Sequence, residues 1–158
     1  TAQFGQINLN IAYSVTQMPD SDYVIAGVSR EGNDPYIWTY SSDFSLLHEA
    51  TVVYINCLDS VAVQVIDNDI LLICKAGEDC GRPGIQRLLL LNRDLTTIAQ
   101  ESFGGETNVV VKDLTVGVDG SIFLCGAYDR GNGSYSALVT KYDASLNAVW
   151  STTVHPNM

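Results

Sequence analysis

Basic residues are scarce in this sequence of 158 residues. Lysine and arginine number 8 against 18 aspartates and glutamates, so the formal net charge is −10 at pH 7. The basic residues also stand singly along the chain, whereas surfaces that bind phosphate groups need them clustered. We therefore expect neither nucleic acid nor an anionic membrane among the partners.

Long apolar runs are missing as well. No run approaches the roughly 18 residues that cross a bilayer, so we predict no membrane insertion. The sequence begins at Thr1 and carries no leader with a basic start and an apolar middle. We interpret the chain as processed, trimmed or an excerpt of a longer protein.

Catalytic and metal-binding motifs are also absent. The sequence has no Gly-x-Ser-x-Gly, His-Glu-x-x-His, phosphate-loop or Cys-x2-Cys pattern, and its two histidines, His48 and His155, lie far apart. Asp20 with Asp22 is a pair that suggests calcium, yet aspartate is also an ordinary residue of tight turns. We predict turns at such pairs. We also predict no catalytic residue, no cofactor and no metal, so that the protein is not an enzyme.

What the sequence does contain is a repeat of about 50 residues. One turn begins at Asp20, Asp67 and Asp119, at intervals of 47 and 52 residues. The runs between turns are short and rich in Val, Ile, Leu and Tyr, which favours strands. A second turn recurs at two equal intervals of 51 residues, at Asp43, Asp94 and Ser145.

Each copy of the repeat has room for four strands. Four antiparallel strands per repeat are typical of a propeller blade, whose neighbours bury both of its faces. We predict an all-β fold, a β-propeller-like array of three four-stranded antiparallel blades that is open or completed by other chains. A β-sandwich or barrel of twelve strands is the alternative. The predicted blades of this single domain, 1–158, span approximately 7–52, 57–105 and 108–154.

A family resemblance rests on residues 119–150. They read Asp-Gly-x-Ile-Phe-Leu-Cys-Gly, then a loop, then Ala-Leu-Val-Thr-Lys-Tyr-Asp and a closing Val-Trp. This pattern resembles the bacterial extracellular β-propeller repeat family. The second copy has Leu91-Asn92 in place of Tyr-Asp, and the first has Thr39-Tyr40-Ser41 in place of Lys-Tyr-Asp. The resemblance implies the propeller fold and no particular function.

The start of the chain resembles the end of a blade. Thr1, Ala2, Gln3 and Phe4 precede a glycine much as residues 101–103 do, so we predict that residues 1–5 are a strand remnant or an exchange strand. Closed propellers have about four to eight blades, so three cannot close unaided. We expect a homo-oligomer or a fibre, with the fibre preferred, held by Thr1 to Phe4 and by apolar end faces. The candidates for those faces are Ile11, Tyr13 and Val15 at one end and Leu138, Tyr142 and Val149 at the other.

The chain has 4 cysteines, and an even count favours an oxidising compartment. The linker that enters a blade and the loop between its second and third strands emerge on one face, so we predict a disulfide between Cys57 and Cys80. Cys74 and Cys125 fall in second strands, where two small buried free thiols are the alternative to a bridge. Asn132 begins an Asn-Gly-Ser acceptor for N-glycosylation on a predicted loop.

The hypothesis that fits these patterns is a non-enzymatic structural or adhesive module that self-associates, into a filament in preference to a closed ring, outside the cell or at its surface. One alternative is a carbohydrate-binding propeller lectin, whose loop aromatics would contact glycans. Another is an excerpt of a larger propeller enzyme whose further blades complete the site. We expect Trp38 and Trp150 to pack in the core, because both lie within predicted strands.

Overall fold

The computed structural model describes residues 9–29, 35–51, 58–76, 86–103, 109–130 and 134–154. All regular structure in these ranges is β-structure, and the ranges include no helix that could cross a membrane. Each set of four consecutive strands forms one sheet, with its strands in chain order. The first sheet contains β1 (Leu9–Gln17), β2 (Tyr23–Ser29), β3 (Pro35–Tyr40) and β4 (Leu46–Thr51). The second contains β5 (Leu58–Ile66), β6 (Asp69–Ala76), β7 (Gln86–Leu91) and β8 (Thr97–Phe103). The third contains β9 (Val109–Val116), β10 (Ile122–Asp129), β11 (Tyr135–Tyr142) and β12 (Ala148–Val154).

All strand pairs are antiparallel, and the first strands of consecutive sheets pack together, β1 on β5 and β5 on β9. This is the arrangement of neighbouring propeller blades, each with its first strand innermost. The predicted fold class, an all-β, propeller-like array of three four-stranded antiparallel blades, is confirmed.

The turn between the third and fourth strands has the same geometry in all three sheets. In the first sheet the N–H of Ser41 donates to the carbonyl of Ser45 at 2.9 Å, and the N–H of Phe44 donates to the carbonyl of Ser41 at 2.9 Å. The equivalent pairs recur 51 and 102 residues later. A bulge follows each turn. The last turn residue has a positive φ each time, and these residues are Phe44 (65°), Leu95 (62°) and Leu146 (63°).

The turn between the first and second strands is less regular. In the first and third sheets a four-residue interval is closed by backbone bonds of 2.7 Å, from Met18 to Asp22 and from Gly117 to Ser121. In the second sheet Ile66 pairs directly with Asp69 across a two-residue turn. This shorter turn is one reason why the intervals measured on the first turn, 47 and 52 residues, are unequal.

Two apolar cores lie between the three sheets, and the middle sheet contributes to both. On β7, Leu89 and Leu91 belong to the core shared with the first sheet, whereas Leu88 and Leu90 belong to the core shared with the third. Successive residues of a strand point to opposite faces, so a strand with both faces covered is apolar throughout. Burying each leucine contributes about 1.5–3 kcal/mol to folding.

A buried side-chain amide joins the second and third sheets. Gln86 on β7 donates from Nε2 to the carbonyl of Val111 on β9 at 2.7 Å and accepts from the N–H of the same residue. The amide thus replaces a missing strand partner for both backbone groups of Val111. Between the first and second sheets, the hydroxyl of Ser14 accepts a 3.2 Å hydrogen bond from the N–H of Val63.

Candidate functional site

Three sheets packed in series leave two faces without a neighbouring sheet within the described chain. The first sheet turns one face away from the second, and we call it the leading face. Its central row crosses all four strands in register and contains Val15, Ile25, Trp38 and Glu49. The opposite face of the same strands lies in the first core.

The leading face corresponds by repeat position to surfaces that are buried elsewhere in the molecule. Val15 is 64% exposed, whereas its counterparts Val63 and Leu114, which begin the equivalent rows of the next two sheets, are 1% and 6% exposed. Val63 lies in the core against the first sheet, and Leu114 lies in the core against the second. The exposure of Val15 therefore corresponds to a missing neighbour on this side of the first sheet.

The turn residue Phe44 shows the same contrast. It is 47% exposed, while Leu95 and Leu146, at the same position of the other turns, are 8% and 4% exposed. Phe44 stacks on Tyr23, with ring centroids 5.3 Å apart and planes 6° from parallel. This aromatic pair extends the leading face toward the turn end of the sheet.

Three aromatic residues of β3, Tyr36, Trp38 and Tyr40, lie on the leading face, because residues two apart on a strand share a face. The rings of Tyr36 and Trp38 are 4.6 Å apart, and Trp38 and Tyr40 are buried. Burial and the nearby charge of Glu49 raise the pKa of Tyr36 and Tyr40 above the ordinary tyrosine value. Trp38 is buried, as expected, although it lies on the leading face and belongs to neither of the two cores between the sheets.

The third sheet also has an unpaired face, which we call the trailing face. Its central row is Thr115, Phe123, Lys141 and Trp150. The rings of Phe123 and Trp150 meet edge to face at 6.4 Å. The Nζ of Lys141 lies 5.4 Å from the centre of the Phe123 ring and 3.7 Å from a carboxylate oxygen of Asp119. The trailing face therefore has two aromatic rings at its centre and beside them a lysine that is paired with Asp119.

The residues expected on this end face are partly wrong. Tyr142 is buried in the second core, near Phe103, and Leu138 lies on the same side of β11. Val149 is exposed, but the register shift on β12 leaves it without a partner on β11, so its expected place on the end face stays a prediction. The prediction that Trp150 packs in the core is wrong, because it is 43% exposed on the trailing face. The residues between Tyr142 and Leu138 that do face outward are Lys141 and Val139.

An ionic cluster lies where the turns of the first and second sheets meet. Arg93 contacts Asp20 at 2.5 Å and Asp22 at 2.7 Å, and the His48 ring nitrogen lies 3.8 Å from Asp94. Burial alone would raise the pKa of Asp20, but hydrogen bonds and the charge of Arg93 lower it overall. A cleft of about 220 Å3 lies beside these groups. Its lining residues are Met18, Asp22, Thr39, Leu47, His48, Arg93 and Asp94.

Turn aspartates elsewhere bind their own turns, as the sequence predicts. Asp119 accepts from the N–H and the hydroxyl of Ser121 at 3.1 and 2.9 Å, and Asp143 accepts from the N–H groups of Ser145 and Asn147 at 2.9 Å. In the described part of the chain, no three His, Cys, Asp or Glu side chains are grouped so as to hold a metal ion.

The residues predicted to form the disulfide, the glycosylation site and the self-association strand fall outside the described residues, so these sites stay predictions. The residues are Cys57, Cys80, Asn132, Thr1, Ala2, Gln3 and Phe4. Cys125 is described, and it is a free, exposed thiol on the strand whose neighbour Phe123 lies on the trailing face. The alternative that placed this thiol inside the core is wrong, because no further sheet covers that face within the described chain.

Sequence reasoning missed Phe44, Arg93 and Lys141. The signal for Phe44 was available, because the 51-residue interval aligns it with Leu95 and Leu146. No comparable signal exists for Arg93, since its acidic partners precede it by about 70 residues in another repeat.

No family model matches the chain, and no curated protein sequence matches it. Among solved structures, the chain resembles one from the crystal structure of the eukaryotic initiation factor, with a TM-score of 0.62 and 9% sequence identity. The match covers 94% of this chain and 33% of that one, so the present chain spans about a third of its length. At this identity the likeness concerns the fold alone.

Proposed function

We propose that this chain is a non-enzymatic structural module that associates with further copies of itself through the end faces of its three-blade array. The proposal includes a location outside the cell or at its surface. That part is supported by the sequence, through the four cysteines and the acceptor at Asn132. The lectin and enzyme-excerpt alternatives stay predictions.

The observation that carries the proposal is the exposure of Val15 at a position that is buried in both other sheets. The exposure of Phe44 repeats this contrast at the turn. Large apolar surfaces on proteins are typically interaction sites, since leaving them in water costs free energy. A further blade is the natural occupant, because blades already cover the equivalent positions in the second and third sheets.

Val15→Glu tests this function. A carboxylate in the central row of the leading face would have to be buried without a partner on association, which is strongly unfavourable. We expect the weight-average mass in sedimentation equilibrium to fall toward that of the single chain, 17.1 kDa. The matched control is Ile98→Glu, at an exposed position on β8 of the middle sheet, which should leave the mass unchanged. Equal effects of the two variants would contradict a role for the leading face.

A further inference from the structure

We propose that copies of this chain associate head to tail, with the leading face of one on the trailing face of the next and Lys141 opposite Asp43 across the junction. This inference rests on the proposed function and specifies its geometry. It assigns the second copy to the same position that a fourth blade would take after the third sheet.

The two junctions inside the chain have the same polarity. In each, the face of one sheet that corresponds to the trailing face packs against the face of the next sheet that corresponds to the leading face. The trailing row of the third sheet is thus equivalent to the residues of the first sheet that contact the second. Adding the next copy by the same transformation places its first sheet on this row.

Size complementarity supports this placement at the turn end. In the first junction, Met18 and Leu95 belong to one core. The counterpart of Met18 on the trailing side is Gly117, which occupies the same position in the first turn of the third sheet. The counterpart of Leu95 on the leading side is Phe44. At the proposed junction Gly117 is smaller than Met18, and Phe44 is larger than Leu95, so the larger ring would have room beside the smaller residue.

Charge complementarity supports it as well. In the first junction, Thr39 and His48 line the cleft together with Arg93 and Asp94 of the following sheet. Two repeat intervals of 51 residues after Thr39 and His48 stand Lys141 and Trp150, which are their counterparts on the trailing face. One interval before Asp94 stands Asp43, and one interval before Arg93 stands an uncharged serine; these are the counterparts on the leading side.

Lys141 would therefore meet Asp43 of the next copy at the place where the internal junctions have an uncharged residue. The position is Thr39 in the first sheet and Leu90 in the second, and both are buried. Among the three sheets, the third alone carries a lysine there. Asp43 is exposed, and hydrogen bonds from Ser41 and Ser45 lower its pKa, so it is charged at neutral pH.

A head-to-tail junction is heterologous, so two single variants complement each other when mixed. Lys141→Glu alone sets a new carboxylate against Asp43 of the next copy and also removes the contact between Lys141 and Asp119 within its own chain. Asp43→Lys alone sets a new ammonium group against Lys141. In the mixture, both alternating junctions pair opposite charges. Each variant alone should associate at least about tenfold more weakly than the wild type, and the equimolar mixture should recover the wild-type affinity.

Sedimentation velocity of each variant and of the mixture provides the measurement. Lys112→Glu, an equal change of charge at an exposed position of β9, is the control and should neither weaken association nor complement Asp43→Lys. Circular dichroism and thermal unfolding check that each variant folds. If a charge-reversal variant does not fold, Lys141→Gln or Asp43→Asn replaces it. Each neutral variant should weaken association by a smaller factor than the charge reversal at the same position.

The possible failures separate the two proposals. If the wild type associates and Val15→Glu prevents it, but the mixture associates no better than its components, the head-to-tail pairing is wrong and the proposed function stands. If the wild-type chain is a monomer at all concentrations, both are wrong.

Discussion

Each repeat places a residue with a side chain in the left-handed region, at Phe44, Leu95 and Leu146. This conformation costs roughly 1–2 kcal/mol for residues other than glycine. At Leu95 and Leu146 the burial of the side chain offsets the cost, because both lie in cores between sheets. Phe44 has the same backbone but a half-exposed ring.

Glycine substitutions at this position should therefore differ between repeats. Leu95→Gly removes a buried side chain and should lower the free energy of unfolding by about 2–4 kcal/mol, even though the backbone strain is relieved. Phe44→Gly relieves the same strain and removes a ring that is only half buried, together with its stacking on Tyr23, so it should change stability by less than about 1 kcal/mol. Urea unfolding at low protein concentration measures both. Equal losses would contradict burial as the compensation.

Two glycines are required by space rather than by backbone angle. A Cβ added to Gly27 would lie 2.2 Å from the carbonyl oxygen of Ile11, and one added to Gly126 would lie 2.1 Å from that of Val110. In both sheets a bulge in the first strand accompanies this close approach to the second strand. Gly120 instead has a φ of +74° and only one neighbour, at 3.8 Å.

Alanine substitutions distinguish these two requirements. Gly126→Ala forces the inner strand away from β10 and should destabilise the protein by about 3 kcal/mol or more. Gly120→Ala costs only the left-handed conformation, about 1 kcal/mol. Thermal unfolding of the two variants checks the difference. A Gly126→Ala protein as stable as Gly120→Ala would show that the bulged strand can shift freely.

At the scale of the elements, hydrogen bonds within the turns hold several aspartates ionised. Asparagine and serine groups lower the pKa of Asp143 and Asp119, and Ser41 lowers that of Asp43. A group with a lowered pKa in the folded state stabilises the protein above its unfolded pKa, here near 3.8, and loses that contribution as pH falls through the folded value.

Asp143→Asn tests this dependence. The variant should be less stable than the wild type at pH 7, where the carboxylate accepts three hydrogen bonds. The difference should shrink as pH falls below about 4, because the wild-type carboxylate is then protonated. Urea unfolding from pH 2 to pH 7 follows the difference. A gap that stays constant, or widens in acid, would contradict the assigned role of the carboxylate.

The sequence predicts the strands and turns well because both depend on local chemistry. Apolar runs between Asp- and Asn-bearing turns place all three sheets, and the apolar run at Leu88 to Leu91 marks the strand with two covered faces. The sequence pattern of β11 does not predict which of its residues point toward the core and which point toward the trailing face. Its residues alternate weakly between apolar and polar, so Tyr142 and Lys141 are assigned to their sides only by the packing of the sheet.

At the scale of the whole molecule, the repeat explains both the cores and the exposed end faces. The covered positions of the second and third sheets identify Val15 and Phe44 as positions that a further sheet would bury. This was partly visible in sequence, since Val15 was expected on an end face. Which trailing-face residues oppose it, including Lys141 and Trp150, required the strand register.

Sedimentation equilibrium of the unmodified chain over a wide concentration range tests the central claim most directly. We expect a weight-average mass that rises with concentration from 17.1 kDa toward multiples of it, since the leading face of one copy is covered by the next. A single species of 17.1 kDa at every concentration would contradict self-association.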